Sequence, residues 1–277
     1  MVAEVVDLLG GRGAVLDMTV GAGGHAEAML QAGVRRVVGL DRDPDAVALA
    51  ERRLAPFADR FQGVVGTFSE PPGERFDGVL YDLGVSSMQL DRAERGFGYR
   101  VDGPLDMRMG GDGPTAADLV NELPEEELAR IVFEYGEERQ SRRIAGAIVR
   151  ARSRRPIETT DQLAGIVAGA VGRRPGRAHP ARRTFQALRI VVNRELEELT
   201  SSLPRAVGLL APGGRVVAIA YHSLEDRIVK RFLIAEPSLR VLTRKPLRPA
   251  QAEVARNPRA RSARLRAAEL AAEGAAA

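Results

Sequence analysis

Within nine residues the sequence places Asp17, Thr19, Gly21, Gly23, Gly24 and His25, a carboxylate and an imidazole on either side of a glycine-rich stretch. Glycine lacks a Cβ, so such a stretch turns tightly and lets the backbone come close to a ligand. Written as Gly21-x-Gly23-x-x-Ala26, it has dinucleotide-binding spacing, and Asp41 follows where a ribose-binding acid belongs. A nicotinamide oxidoreductase is one reading. Asp17 points to another, because its carboxylate would face a pyrophosphate across the turn. An acid at that place suits a cationic ligand such as S-adenosylmethionine, which carries amino and sulfonium groups. The dehydrogenase pairing of Tyr with Lys four residues on is absent, since Val85, Gly103, Arg139 and Glu225 follow Tyr81, Tyr99, Tyr135 and Tyr221 at that spacing. Farther along, Asp82-Leu83-Gly84-Val85-Ser86-Ser87 stands where amino-group methyltransferases hold their target base.

These residues need elements to position them, and the first half of the chain supplies an alternating rhythm. Residues 2–9 place Val2, Val5, Val6 and Leu9 on one helical face. Short apolar runs at 14–18, 36–40, 61–65 and 77–81 read as strands, with helices at 24–32 and 46–54 between them. The strands close on Asp17, Asp41 and Asp82, which predicts three carboxylates along the carboxyl edge of a mostly parallel α/β sheet, where open sheets bind ligands. After about Leu90 the rhythm changes. Residues 91–113 read as an ordered loop, residues 116–171 as helices only, and one long helix runs from Thr184 towards Leu199 before a fifth strand at 213–220. A helical insertion at 101–183 inside a discontinuous domain, 1–100 with 184–277, accounts for this better than two tandem domains.

Composition narrows the chemistry. The 277 residues include no cysteine, which excludes disulfides, cysteine zinc sites and thiol nucleophiles. The three histidines, His25, His179 and His222, are too scattered to suggest a metal site, and none is expected. Glu4 and Asp7 rule out a signal peptide at residues 1–11, and no uncharged apolar run approaches the ~20 residues of a membrane span. A cytoplasmic protein without membrane association is the expectation. Lysine occurs only at Lys230 and Lys245, so arginine supplies 39 of 41 basic residues. Codon bias explains the total, but not its clustering at Arg139, Arg142, Arg143, Arg150, Arg152, Arg154 and Arg155, then at 173–183, then from Arg240 to Arg266. Three such runs fit a surface that tracks RNA phosphates.

Taken in order, several stretches are similar to one family. They are Asp17-x-Thr-x-Gly-x-Gly-Gly-His25, Asp82-Leu-Gly-Val-Ser-Ser87, Gln89-Leu-Asp91, Glu94-Arg-Gly-Phe97, Gly103-Pro-Leu-Asp-Met-Arg108, Tyr135-Gly-Glu-Glu-Arg139, His179-Pro180, Arg183-Thr-Phe-Gln-Ala187, Tyr221-His-Ser-Leu-Glu-Asp-Arg227 and Asn257-Pro-Arg-Ala-Arg261. From about Val2 to Glu269 the chain resembles the bacterial 16S ribosomal RNA cytosine-N4 methyltransferases (RsmH, formerly MraW). It departs from them in beginning inside the first helix, without a short leader, and in a compact segment between Phe232 and Asn257. The resemblance implies a class I S-adenosylmethionine-dependent methyltransferase, Rossmann-like, interrupted by an all-helical substrate-recognition domain. It implies that Gly23, Gly24 and His25 line the methionine end of the cofactor, that Asp41 takes the ribose hydroxyls, that Phe68 flanks the adenine, and that Asp82 and Gln89 complete the set. The implied substrate is a cytidine N4 amine in the decoding region of 16S ribosomal RNA, within the small ribosomal subunit or its precursor. Oligomeric state stays open, a homodimer included.

An exocyclic amine conjugated to a pyrimidine is a weak nucleophile, so catalysis needs alignment and an acceptor for its protons. A carboxylate or a backbone carbonyl at the end of the fourth strand meets that need. Asp106 and His222 are the other candidate catalytic residues; an Asp106–Arg108 ion pair and a structural His222 are the alternatives. A ribosome-binding module with a vestigial cofactor fold is the non-enzymatic reading.

Overall fold

The computed structural model describes residues 1–68, 70–86, 92–172 and 179–271. In chain order the first elements are α1 (Val2–Leu9), β1 (Ala14–Asp17), α2 (Gly24–Gln31), β2 (Arg36–Asp41), α3 (Pro44–Arg53), β3 (Phe61–Val65) and β4 (Phe76–Asp82). Five helices follow: α4 (Ala116–Glu122), α5 (Glu125–Glu134), α6 (Ser141–Arg152), α7 (Thr160–Val171) and α8 (Arg182–Asn193). The chain then continues through α9 (Glu195–Gly208), β5 (Leu210–Ala220), α10 (Ser223–Ala235), β6 (Leu239–Val241), α11 (Gln251–Arg256) and β7 (Arg264–Leu270). Two compact units result, Met1–Gly84 with Leu196–Ala277, and Val85–Glu195.

The first unit is built on one seven-stranded sheet of order β3-β2-β1-β4-β5-β7-β6. Strands β1 to β5 pair in parallel, and β7 runs antiparallel to both β5 and β6. Alternation along the strands feeds two cores. Val15, Val37, Leu80, Val217 and Ile219 pack with Leu9 of α1, Met29 and Leu30 of α2 and Ala50 of α3. Their neighbours Leu16, Val38, Val79, Tyr81, Val216 and Ala218 pack with Leu199 and Leu203 of α9 and Val229 and Leu233 of α10. Burial on both faces is why these strands read as continuous apolar runs. The mostly parallel α/β sheet expected from the sequence is present, and its strands β1, β2 and β4 end on Asp17, Asp41 and Asp82.

The second unit is helical, with its own core of Leu119, Val120, Leu128, Val132, Ile144, Ile148, Leu163, Val167, Phe185 and Leu188. Its limits differ from the 101–183 expected. The stretch before residue 101 belongs to it as well, because Phe97 is buried in the same core as Leu105 and Met107. Helix α8 belongs to it through Ala181, Phe185 and Leu188. The long helix expected from Thr184 is in fact two helices broken at Arg194, which is left-handed at φ 51 and ψ 36. Asn193 explains the break. Its buried amide donates to Met107 O and Arg189 O at 2.8 and 2.9 Å, and its Oδ1 accepts the Met109 N–H at 2.8 Å. These bonds compete with continuation of the helix.

Candidate active site

The carboxyl ends of β1, β2, β4 and β5 bring a cluster of titratable side chains together. The β1–α2 turn prolongs the parallel pairing, as Met18 N–H donates to Leu80 O and Val20 N–H to Leu40 O, both at 2.9 Å. Gly23 caps α2 at φ +79, and a Cβ there would lie 3.3 Å from Ala50 Cα and Leu54 Cδ1. Positive φ and the closeness of α3 together demand glycine. Gly24 leaves open space, since its Cβ would meet only Arg53 Nη1 at 3.9 Å.

Asp41 holds that turn from β2. Its Oδ2 accepts the Gly21 N–H and its Oδ1 the Asp43 N–H, each at 3.0 Å. Burial raises its pKa, and these two backbone donors oppose the rise. Phe68, after β3, packs edge-on against Tyr81 with ring centroids 5.7 Å apart. Gln89 lies outside the described residues, as does Ser87.

Asp17, Asp82 and His25 form the centre. Asp17 is 1% exposed, and its pKa is pushed up to about 7 by burial, against the pull of His25 and the Thr19 N–H that donates to its Oδ1 at 3.1 Å. His25 Nε2 lies 3.3 Å from Asp82 Oδ2. Burial disfavours the imidazolium, yet Asp82 and Asp17 outweigh it, and the His25 pKa stands above its ordinary value. The other ring nitrogen, Nδ1, is buried and has no hydrogen-bond partner among the described residues. A buried polar atom left unmatched in this way is a place for a ligand group.

Two further residues join the cluster, to neither of which the sequence assigned a site role. Thr19 Oγ1 accepts the Asp82 N–H at 2.6 Å, tying β1 to β4. Tyr221, the first residue beyond β5, donates its hydroxyl to Asp82 Oδ1 at 2.9 Å. Both stand inside the motifs quoted above, and Tyr221 immediately follows a strand end, which was the available signal.

The two candidate catalytic residues are otherwise engaged. Asp106 lies in the helical unit, where Arg108 Nε and Nη2 donate to its two carboxylate oxygens at 2.8 Å each. Hydrogen bonding by Arg108, assisted by its charge, lowers the Asp106 pKa despite partial burial, which makes it a poor proton acceptor. His222 caps α10: its Nδ1 accepts the Glu225 N–H at 3.4 Å while Glu225 Oε2 accepts the His222 N–H at 3.3 Å. That is a capping box, with histidine in the place of Ser or Thr.

Three carboxylates beside an unmatched imidazole nitrogen suit a ligand bearing both cationic and polar groups, and disfavour a pyrophosphate. The site therefore fits S-adenosylmethionine. In comparison with known proteins, the sequence pattern of the MraW methylase family matches residues 1–271. The ribosomal RNA small subunit methyltransferase H of Rhodopseudomonas palustris (strain TIE-1) is 50% identical over 292 aligned residues, covering 96% of this chain and 88% of that protein. The protein of the same name from Cereibacter sphaeroides (strain ATCC 17025 / ATH 2.4.3) is 52% identical over 276, covering 92% and 83%.

Proposed function

The chain belongs to the MraW methylase family, and from that membership we propose that it methylates the N4 amine of a cytidine in the decoding region of small-subunit ribosomal RNA. Its cofactor is S-adenosylmethionine, which when bound supplies an electrophilic methyl group on a sulfonium. The observation that supports the cofactor site is the Asp17–His25–Asp82 cluster, with Asp17 buried and His25 Nδ1 unmatched among the described residues.

The chain's own residues divide the work as follows. Gly23 and Gly24 give the backbone access to the methionine end. Asp41, fixed by Gly21 and Asp43, keeps further lone pairs for ribose hydroxyls. Phe68 presents ring surface to the adenine, and Gln89 completes the set. Asp82 is held through both oxygens and its N–H, so its carboxylate is already oriented before any ligand arrives. Arg108 occupies both carboxylate oxygens of Asp106, and His222 Nδ1 serves the α10 cap. Peptide carbonyls just beyond Asp82 then take the amine's hydrogen bonds as its nitrogen pyramidalises.

The absence of cysteine supports the amine as acceptor. Methylation at pyrimidine C5 proceeds through a thiolate adduct at C6, and this chain has no thiol to form one. Transfer to N4 needs no covalent adduct, only alignment and an acceptor for the proton the amine loses, with a base swung out of its stack. RNA engagement is proposed for the exposed arginines of the helical unit, Arg139, Arg142, Arg143, Arg150, Arg154 and Arg155. Arg152 is excluded because its Nη1 donates to Val120 O at 2.7 Å. No helix among the described residues is long and apolar enough to cross a membrane, and action on ribosomal RNA accords with a cytoplasmic location.

Nucleoside mass spectrometry of small-subunit RNA treated with the purified protein and cofactor tests the reading. The expected product is N4-methylcytidine at one non-helical site. Only 5-methylcytidine, or only N6-methyladenosine, overturns it.

A further inference from the structure

The stretch Tyr221-His-Ser-Leu-Glu-Asp-Arg227 was singled out by the sequence, but no cofactor or substrate contact accounts for it. We propose that Tyr221 is a positioning residue that fixes the Asp82 carboxylate for cofactor binding, an inference that rests on the cofactor site described above.

The tyrosine is itself held at both ends. Its backbone N–H donates to Glu225 Oε2 at 2.9 Å, and Glu225 is 2% exposed at the capped start of α10. The preceding residues are locked into the sheet, with Ile219 of β5 paired in register with Asp82 of β4. From that anchor the ring reaches across β4. A Cβ built on Gly84 would stand 3.7 Å from Tyr221 Cδ2, so the ring lies against the glycine of Asp82-Leu83-Gly84, and its hydroxyl meets Asp82 Oδ1 at 2.9 Å.

The donor role is obligatory. Burial first, and the Asp82 charge next, push the phenol's ionisation well above its ordinary value, so the hydroxyl keeps its proton and can only give it to the carboxylate. With His25 Nε2 at the other oxygen and Thr19 Oγ1 at the main-chain N–H, the Asp82 side chain has one orientation. Removing the phenol hydroxyl frees one side of that arrangement while the ring stays on Gly84. Glu225, His222 and Tyr221 thus form a single device. The α10 cap fixes the tyrosine, and the tyrosine fixes the aspartate.

The test is a double-mutant cycle on the dissociation constant of S-adenosylhomocysteine, measured by calorimetry for the full chain, Tyr221→Phe, Asp82→Ala and the double variant. Loss of one charge-assisted hydrogen bond is expected to weaken Tyr221→Phe about ten-fold. On the Asp82→Ala background the same change is expected to do nothing, because the tyrosine acts through the carboxylate. Steady-state kinetics give a second readout: KM for the cofactor rises in Tyr221→Phe while KM for RNA stays put. A merely structural tyrosine would lower the binding stoichiometry and the melting temperature and leave the dissociation constant of the folded fraction unchanged. That result overturns the proposal, as do losses that add in the double variant. Should Asp82→Ala misfold, Asp82→Leu, which likewise offers the hydroxyl no acceptor, replaces it in the cycle. Unchanged affinity in a folded Asp82 variant instead removes Asp82 from the cofactor site, and the reading on which the proposal rests fails with it.

Discussion

Asp17 is the residue whose environment is most at odds with its chemistry, a carboxyl 1% exposed whose pKa burial lifts to about 7. A folded-state value above the unfolded one means that the native protein binds the proton more tightly. The resulting stability is complete below about pH 4 and is lost as pH rises through about 7. Asp17→Asn has no such dependence. The melting temperature of the variant relative to the parent is therefore expected to climb from about pH 5 to about pH 8, and a constant difference refutes the assignment. Asp41 gives a second expectation. Asp41→Ala removes the proposed ribose acceptor and also strands the Gly21 and Asp43 N–H groups, so cofactor affinity falls about ten-fold or more by calorimetry, as expected for loss of charge-assisted bonds worth about 1.5–3 kcal/mol. Asp41→Asn, which keeps an acceptor, recovers part of the loss. An unchanged dissociation constant in folded Asp41→Ala takes the residue out of the site. Both aspartates were legible in the sequence because each ends an apolar run, and strand ends of a parallel sheet share one edge. Tyr221 was not, since its contact with Asp82 depends on the register of β4 against β5, which no local pattern encodes. The structural alternative for His222 has a specific form that the sequence does not show, because capping boxes are recognised by Ser or Thr and here an imidazole nitrogen does the same job.

At the level of elements, β1, β2, β4 and β5 were readable to within a few residues because burial on both faces leaves apolar runs, whereas β6 and β7 were not read from the sequence. The helix break at Arg194 was unreadable. Neither glycine nor proline marks it, and its cause is the side chain of Asn193 bonding to the backbone at Met107 and Met109, more than 80 residues away in sequence. The part of the loop before residue 101 belongs to the helical unit, not to the sheet unit, for a related reason. Its Gly and Arg content conceals a core residue of that unit, Phe97. A single substitution examines this account. Asn193→Ala leaves the buried Met107 O and Met109 N–H without their partners, each worth about 1–3 kcal/mol when orphaned. The urea midpoint is expected to fall accordingly, with cofactor affinity unchanged because Gly23, Gly24, His25, Asp41, Phe68 and Asp82 belong to the sheet unit. A variant as stable as the parent shows that Asn193 follows the break and does not cause it.

Over the whole molecule, 41 basic residues against 37 acidic ones give a net charge of only +4, so RNA binding depends on where the arginines stand. The sequence presented the run from Arg240 to Arg266 as one basic tail, but Arg240, Arg264 and Arg266 are engaged internally, while Arg244, Lys245, Arg248, Arg256, Arg259 and Arg261 are exposed. Arg266 is 7% exposed and its Nε donates to Asp226 Oδ1 at 2.6 Å, Arg264 Nη1 donates to Asp226 Oδ2 at 3.0 Å, and Arg240 with Arg215 holds Glu269. Burial alone would raise the Asp226 pKa, yet the bonds and charges of Arg266 and Arg264 outweigh it and hold the carboxyl below its ordinary range. These arginines fasten β7 to α10. The α6 face is different, as Arg142, Arg143 and Arg150 are exposed on the side opposite Ile144, Ala145 and Ile148. Each phosphate neutralised on single-stranded RNA contributes about 0.7 to the slope of log affinity against log salt. Replacing those three arginines by alanine is therefore expected to flatten the slope by roughly 2 and to leave cofactor affinity and stability near the parent's. Arg266→Ala is expected to do the reverse, lowering the melting temperature by leaving the buried Asp226 carboxylate with Arg264 alone, while keeping the slope of its folded fraction. Filter-binding titrations of small-subunit RNA over a salt series, run beside thermal melts, separate the two. A slope that follows Arg266 and ignores α6 moves the RNA contact from the helical unit to the tail.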